Sequence, residues 1–570
     1  MLKRQLWTLL LLILVAAIPF ALVGCGGTVA PPPEKDEADK LRMPFFPILH
    51  ITSELDPFDI ERELWHDGTI ALLDAPEGIV FDAVDARIRG RGNSTWWNGP
   101  DKRPLRFRFD APRSLMGSAY EATDWILLAN HFDRSLLRNY AALYLAGRMD
   151  GLDFTPVPHH IHLYVNGAYM GVYLLTDERD VNPGRMELVW DPDPSLSDFF
   201  LELDARAPQG GTEGDTFVTV SGLHYDIRWS GSSRQRTPEH VAYAKAYLES
   251  VSAAIRSQDF AEIIALIDLD SFVDFYLVQE LFKNADVHSL SVFLHITGQG
   301  AERRLFMGPV WDFDTAAGNA RLQPLGYGPE YLYAAVVNYW YRYLMGVPEF
   351  FEAVTDRWNT LRDTAIAETI AHIRYTAVRY QAEFERNFER HPMHSARVPR
   401  PPAPIYEIED FTEQVDYLID WLETRVAWLD DFFNGRLPDH DPLWTLVTYF
   451  TYQSPIHITV HGETRHLYSP PILLHDRTML PLQALADLFQ MTLHHDPVVG
   501  TARLTRGPVT ITHDIGTPHF FVDGNRVDAG IPTIVIRDQA HLPLHIVVDA
   551  LGYASQWEAD TRTVAITAGA

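Results

Sequence analysis

Three stretches of the chain hold residue types whose spacing permits phosphate and metal chemistry. The first runs from Arg87 to Arg108 and carries seven cations: Arg87, Arg89, Arg91, Lys102, Arg103, Arg106 and Arg108. Embedded in it is Arg89-Gly90-Arg91-Gly92-Asn93-Ser94-Thr95-Trp96. Glycines and small polar residues beside cations suit an anion cradle, where backbone N–H groups and guanidinium or ammonium groups meet oxyanions. The run is neither a Walker A loop nor GxGxxG. A solvated strand face is the structural alternative. Alternation puts Arg106 and Arg108 on one face of a strand and Phe107 and Phe109 on the other. Arg87, Arg89 and Arg91 likewise share a face opposite Ile88. Two such strands are able to converge on one anion.

The second stretch is apolar from Trp125 to Ala129 and then turns polar at Asn130, His131 and Asp133, with Leu137-Arg138-Asn139 following. It reads as a strand delivering Asn130 to its end. The structural alternative is an Asx turn and helix cap at Asp133. The third is bipartite. Glu280-Leu281-Phe282-Lys283-Asn284-Ala285-Asp286 lies where a helix ends, and Gly308-Pro309-Val310-Trp311-Asp312-Phe313-Asp314 follows a strand-like Leu290 to His295. Carboxylates at i and i+2 of an extended segment, here Asp312 and Asp314, share a face and can hold a divalent cation through oxygen.

These groups sit in a chain of 570 residues with a formal charge of −29. That charge argues against a nucleic-acid surface, which must neutralise phosphates with a net basic face. A hydrophobic content of 46% is that of a globular protein with room for several cores. The single cysteine, Cys25, excludes a disulfide scaffold. It closes residues 1–25: Lys3 and Arg4, an apolar run from Leu6 to Val23, then Leu22-Val23-Gly24-Cys25, which resembles the bacterial lipobox. The expectation is an extracytoplasmic, membrane-anchored lipoprotein carrying its lipid on Cys25. A plain cleaved signal and an uncleaved anchor are the alternatives. Residues 26–43, with Pro31-Pro32-Pro33, read as a tether.

The elements that must position the candidates follow from periodicity. Short β-like runs fill 44–230, and Asn166-Gly167 between two of them predicts a hairpin. Helical patterns occupy 239–256, 259–267, 270–284, 348–390 with a break, and 409–434, with Asp270 a cap for the third. Residues 436–455 read as a linker. From 456 a repeat appears at an offset of 62: Leu480-Pro481-Leu482 matches Leu542-Pro543-Leu544, and Val460-His461-Gly462 matches Val522-Asp523-Gly524. This segment resembles the copper amine oxidase N-terminal-like domain. The adjacent His494 and His495 point to opposite strand faces, so no copper is expected there.

Residues 44–435 resemble the CotH kinase-like family, named for a spore coat protein H. The resemblance rests on Arg89 to Trp96, Lys102-Arg103-Pro104-Leu105-Arg106, Trp125 to Asn130 with Leu137-Arg138-Asn139, Gly171-Val172-Tyr173-Leu174-Leu175-Thr176, Leu201-Glu202-Leu203-Asp204, Lys283-Asn284-Ala285-Asp286 and Gly308 to Asp314. It implies an α+β, atypical protein-kinase-like domain with a β-rich N-lobe and a helical C-lobe, followed by a small α+β repeat domain at 456–570. It further implies transfer of the ATP γ-phosphate to Ser or Thr of secreted or surface proteins, with Mg²⁺ or Mn²⁺. Asp286 would be the catalytic base and Asp312 a metal ligand, with Asp314 a second. Arg91, Lys102, Arg106 and Asn130 would bind the nucleotide phosphates. Where the family has Thr-Glu this chain has Thr176-Asp177, so Asp177, Glu178 and Glu202 compete as the acidic partner of the phosphate-binding cation. The other class of reading is a non-catalytic surface lipoprotein. It would use the aromatic run from Tyr327 to Tyr343 for carbohydrate or peptide and the repeat domain for cell-wall contact.

Overall fold

The computed structural model describes residues 45–436 and 456–569, apart from short internal stretches of which 394–404 and 323–327 are the longest. Cys25, the tether and most of the linker lie outside the described residues. The chain is of mixed α+β architecture. Seven strands close into a barrel: β1 (Ile48–Ser53), β2 (His66–Leu73), β3 (Phe81–Gly90), β4 (Leu105–Arg113), β5 (Ala122–Leu128), β6 (His159–Val165) and β7 (Ala168–Asp177), in the order β1-β2-β3-β4-β5-β7-β6. The closing β1–β6 contact is parallel. The predicted hairpin joins β6 and β7, with Asn166 and Gly167 both at positive φ, 51° and 78°, as a type I′ turn requires.

Alternation behaves as the sequence suggests. Phe107 and Phe109 are buried in the barrel with Ile88, Leu49 and Ile70, while Arg106 and Arg108 face outward. Across the sheet Arg89 lies opposite Arg106, and Arg87 opposite Arg108. A second sheet has the order β12-β11-β8-β10-β9, from β8 (Phe199–Leu203), β9 (Phe217–Val220), β10 (Leu223–Trp229), β11 (Val292–Thr297) and β12 (Arg304–Met307).

Two helices interrupt the barrel sequence, α1 (Ser94–Asn98) and α2 (Arg138–Ala146). The longer of the later helices are α3 (Pro238–Ser257), α4 (Leu269–Phe282), α5 (Pro348–Leu361), α6 (Ala367–Arg379), α7 (Gln381–Arg390) and α8 (Phe411–Phe433), and the pattern at 259–267 gives a short helix, Phe260–Ile264. The expected break in 348–390 has two parts: a π-turn at Arg362–Ile366 and a stop at Tyr380. Helix α4 is buried from Ser271 to Phe282, which explains its lack of an amphipathic stripe. Its cap is Asp268, whose carboxylate accepts the Ser271 N–H at 2.8 Å. Asp270 falls inside the first turn, two positions after the cap. In the aromatic run Tyr333, Trp340 and Tyr341 are buried against α4 and its neighbours, Tyr331, Tyr339 and Tyr343 are half-buried, and Tyr327 lies outside the described residues.

The C-terminal segment has its own hydrophobic cluster. Its two repeat units meet at their matching motifs, with Leu480 directly opposite Leu542 in one sheet. The helices α9 (Leu482–Phe489) and α10 (Leu544–Ala550) follow those strands, and His457–Val460 pairs in parallel with Thr563–Ala568.

Candidate active site

A cleft of about 360 Å³ opens where the end of β3, the 91–95 loop, β4, the residues after β7, and strands β8 and β10 meet the Ser291–Asp312 region. Two glycines make the loop possible. A Cβ on Gly90 would fall 2.1 Å from the Trp96 ring, and Gly92 adopts φ +84°. Arg91 is thereby turned inward, its guanidinium 5.6 Å from the centre of the Trp311 ring. Arg179 stacks on the same ring at 4.2 Å and on Phe293 at 4.6 Å. Such planar stacking holds a guanidinium rigidly and suits arginine rather than lysine.

The two stacked cations differ in what compensates them. Among the described residues, no carboxylate lies within ion-pair distance of the Arg91 guanidinium. Burial, with repulsion from Arg179, lowers its pKa to about 10. Arg179 approaches Glu178 at 3.4 Å, and its Nε is buried without a partner. Burial opposes ionisation of Glu178, yet Arg179, Arg106 and Arg91 together pull its carboxyl down to about 2. Arg106 joins Glu178 at 2.9 Å and Asp124 at 2.5 Å. Farther along the wall Arg228 pairs with Glu202 at 3.4 Å and Arg206 with Asp204 at 3.0 Å.

The opposite side is acidic. Asp312 lines the cleft with left-handed backbone, φ +69°, and its Oδ2 accepts the Ser291 hydroxyl at 3.2 Å. Asp314 is buried beside it. Burial, then repulsion from Asp312, Asp286 and Asp133, raises its carboxyl well above the usual range. Asp286 is tied to the same segment through Asn284, whose Oδ1 accepts the Asp286 N–H at 3.1 Å and whose Nδ2 donates to Trp311 O at 3.5 Å. It begins a turn in which its carbonyl accepts the N–H groups of Ser289 and Leu290. The Asp312–Asp314 segment is fixed from α2: the Asn139 Oδ1 accepts the Phe313 N–H at 2.6 Å. Among the described residues no three His, Cys, Asp or Glu side chains converge in metal-ligand geometry. A cation at Asp312 and Asp314 would take its remaining oxygen ligands from phosphate and water.

The structure thus brings Arg91, Arg106 and Asp312 to one cleft, with Asp314 two residues on and Asp286 linked to Trp311 through Asn284. It does not bring Lys102 or Asn130 there. Lys102 is 2% exposed, its Nζ without a hydrogen-bond partner and 5.3 Å from the Tyr173 ring centre. Burial, only partly offset by Asp133, lowers its pKa to about 7. The chain folds back after α1, where Lys102 N–H donates to Gly99 O, and carries the side chain behind the cleft wall. Asn130 accepts from Asn139 Nδ2 at 2.9 Å and donates to Leu136 O, so it orients the residue that holds Phe313. Asp133 makes the Asx turn but is not the N-cap, which is Leu137: it accepts from Ser135 N–H and from Arg138 N–H, the first of α2, and pairs with the Arg138 guanidinium at 2.6 Å.

The anion expected between the two basic strands is largely a protein one. Arg106 and Arg108 both close on Asp124. Of the three acidic candidates, Glu178 and Glu202 line the cleft, whereas Asp177 faces away and binds Arg185 at 2.9 Å. Sequence reasoning missed Arg179, Arg206 and Arg228. The one available signal was the charged triplet Asp177-Glu178-Arg179 closing an apolar strand.

This arrangement, a cationic wall facing carboxylates across a cleft, has the charge and donors to hold an anionic ligand. A family model for CotH kinase protein matches residues 87–429, more than half of the chain, and the chain belongs to that family. A second model, copper amine oxidase N-terminal domain, matches residues 459–566. No curated protein matches the chain.

Proposed function

We propose that the protein is an extracytoplasmic, lipid-anchored atypical protein kinase. It would transfer the γ-phosphate of ATP to Ser or Thr of secreted or surface proteins. The reading takes the barrel and its adjoining sheet as the N-lobe and the helical part as the C-lobe. The observation that carries it is Arg91: a half-buried residue whose guanidinium is stacked on Trp311 in the cleft that Asp312 also lines, with no ion-pair partner among the described residues. Burying an uncompensated cation is costly, and an anionic ligand removes that cost. Burial and the neighbouring Asp312 disfavour ionisation of Asp314, and the two carboxylates fit a divalent cation, Mg²⁺ or Mn²⁺, with phosphate oxygens completing its shell.

When bound, the cation supplies neutralisation of phosphate charge. The chain's own residues do the rest. Arg91 and Arg179 hold phosphate oxygens, Glu178 keeps Arg106 and Arg179 in place, and Asp286 accepts the proton of the acceptor hydroxyl. Positioning and charge stabilisation are the main demands of phosphoryl transfer, and these groups meet them.

The test is transfer of label from γ-labelled ATP by the purified protein with Mg²⁺ or Mn²⁺. Asp286→Ala and Asp312→Ala should each lower the rate at least ~100-fold, consistent with loss of a base or a metal ligand. Transfer surviving both changes refutes the assignment. A second reading, a non-catalytic surface lipoprotein, draws on the ion pairs that already occupy Arg106, Arg206 and Arg228. Its signature is absence of any nucleotide-induced thermal shift with either metal. In either case the C-terminal repeat segment would serve contact with the cell wall.

A further inference from the structure

A second cavity, of about 240 Å³, lies on the far side of Asp177 from the cleft. It is walled by Leu115 and Tyr120 from the β4–β5 connection, by Trp125, by Leu143 and Tyr144 in the last turn of α2, and by Thr155 to Val157. Most of its surface is apolar. An apolar cavity of ~150 Å³ accommodates benzene, so this one has room for a fused ring system.

Its charged groups are already engaged. Asp177 accepts from Tyr120 Oη at 2.7 Å, from Val157 N–H at 2.9 Å and from Arg185. Arg148 lies along the Tyr144 ring and donates to Tyr144 O. What is left over is neutral. The Thr155 hydroxyl is buried with no hydrogen-bond partner, and burial holds His159 uncharged, with a pKa of about 4. A pocket of this size and polarity selects an uncharged aromatic molecule with one hydrogen-bonding group.

Two rigid connections join this cavity to the cleft. Arg185 Nη2, bound to Asp177, also donates to Asp124 O, and the Asp124 carboxylate grips Arg106 in the cleft wall. Helix α2 has Leu143 and Tyr144 against the cavity and Asn139, one turn earlier, bonded to Phe313 between the two metal-binding aspartates. We propose that the cavity is a second ligand site, for a small uncharged aromatic compound, and that its occupancy shifts the affinity of the Arg91–Asp312 cleft for nucleotide. The coupling half rests on the nucleotide reading of that cleft; the binding half does not.

Indole is the probe. It is titrated calorimetrically into the full chain, alone and with ATP and Mg²⁺, for the wild type, Thr155→Val and Gly147→Phe. Gly147 lines the cavity and has helical backbone, φ −65°, where a Cβ would meet Leu143 O at 3.4 Å and Tyr144 O at 3.8 Å, so a side chain fits on the backbone and fills the space. The wild type should bind one indole saturably. Thr155→Val should weaken binding about 5-fold or more, the effect of losing one hydrogen bond. Gly147→Phe should abolish it with the circular-dichroism spectrum unchanged, and if that variant does not fold, Thr155→Val decides. Saturating indole should change ATP affinity about 5-fold or more, with an equal reciprocal change in indole affinity. No saturable indole binding, or undiminished binding in the variants, overturns the site. Unchanged ATP affinity overturns the coupling. A chain that binds indole but no nucleotide refutes the reading of the first cleft and leaves the second site standing.

Discussion

Asn139 and Phe313 are joined by a 2.6 Å hydrogen bond, from the Phe313 N–H to the Asn139 amide oxygen. The two residues are far apart in sequence, yet this bond ties the first turn of α2 to the segment bearing Asp312 and Asp314. Asn130 steadies Asn139 from the other side. The backbone between the two carboxylates is therefore tied to α2 through side-chain amides.

That network gives the first prediction. Asn139→Ala should leave the Phe313 N–H buried and unpaired and cost about 1–3 kcal/mol of stability. The protein should remain folded, while label transfer falls by one to two orders of magnitude, because sub-ångström displacement of a metal ligand is felt at the reacting atoms. Denaturant titration and a transfer assay on the same preparation check both halves.

The Glu178 carboxyl, held down to about 2, makes acid stability a readout of the cleft. Its pKa is lower in the folded protein than in the unfolded chain, so the stabilisation is complete above about pH 4.5 and is lost as pH falls toward 2. Glu178→Gln should destabilise by about 3 kcal/mol at pH 7, as for breaking a buried ion pair. The gap to wild type should narrow below pH 4.5. A gap independent of pH would show that the carboxylate charge is not what Arg106 and Arg179 depend on.

Lys102 behaves in the opposite sense. Its pKa falls from the usual lysine value to about 7 on folding, so the unfolded chain binds more protons between about pH 7 and 10.5, and stability rises with pH across that window. Lys102→Met should therefore stabilise by about 2–4 kcal/mol at pH 7, with the advantage shrinking toward pH 10.5. Label transfer should persist. Loss of transfer would return Lys102 to the phosphate-binding role that its place in the sequence suggests.

Asp133 separates fold from catalysis. Asp133→Ala removes the partner of the fully buried Arg138 and should cost about 3–5 kcal/mol. Asp133→Asn, which keeps the turn, should restore part of that stability, measured by thermal unfolding.

Much of this protein is legible along the chain because the deciding signals are local. The period-2 alternation of Arg106-Phe107-Arg108-Phe109 assigns one face to the barrel core and one to the outside. Asn166-Gly167 selects a hairpin turn through its tolerance of positive φ. The 62-residue repeat brings Leu480 and Leu542 side by side. The Asp286 and Asp312/Asp314 motifs and the Gly-Arg-Gly loop all arrive at or beside one cleft. What only the tertiary structure decides is how charges are apportioned. Arg106 divides its charge between Glu178 and Asp124, Arg108 closes on Asp124, Lys102 is turned behind the wall, and Arg179 and Arg228 come in from far along the sequence. Whether a cation meets a carboxylate or an empty pocket depends on which strands lie side by side and how much water remains between them, and that depends on packing rather than on residue order.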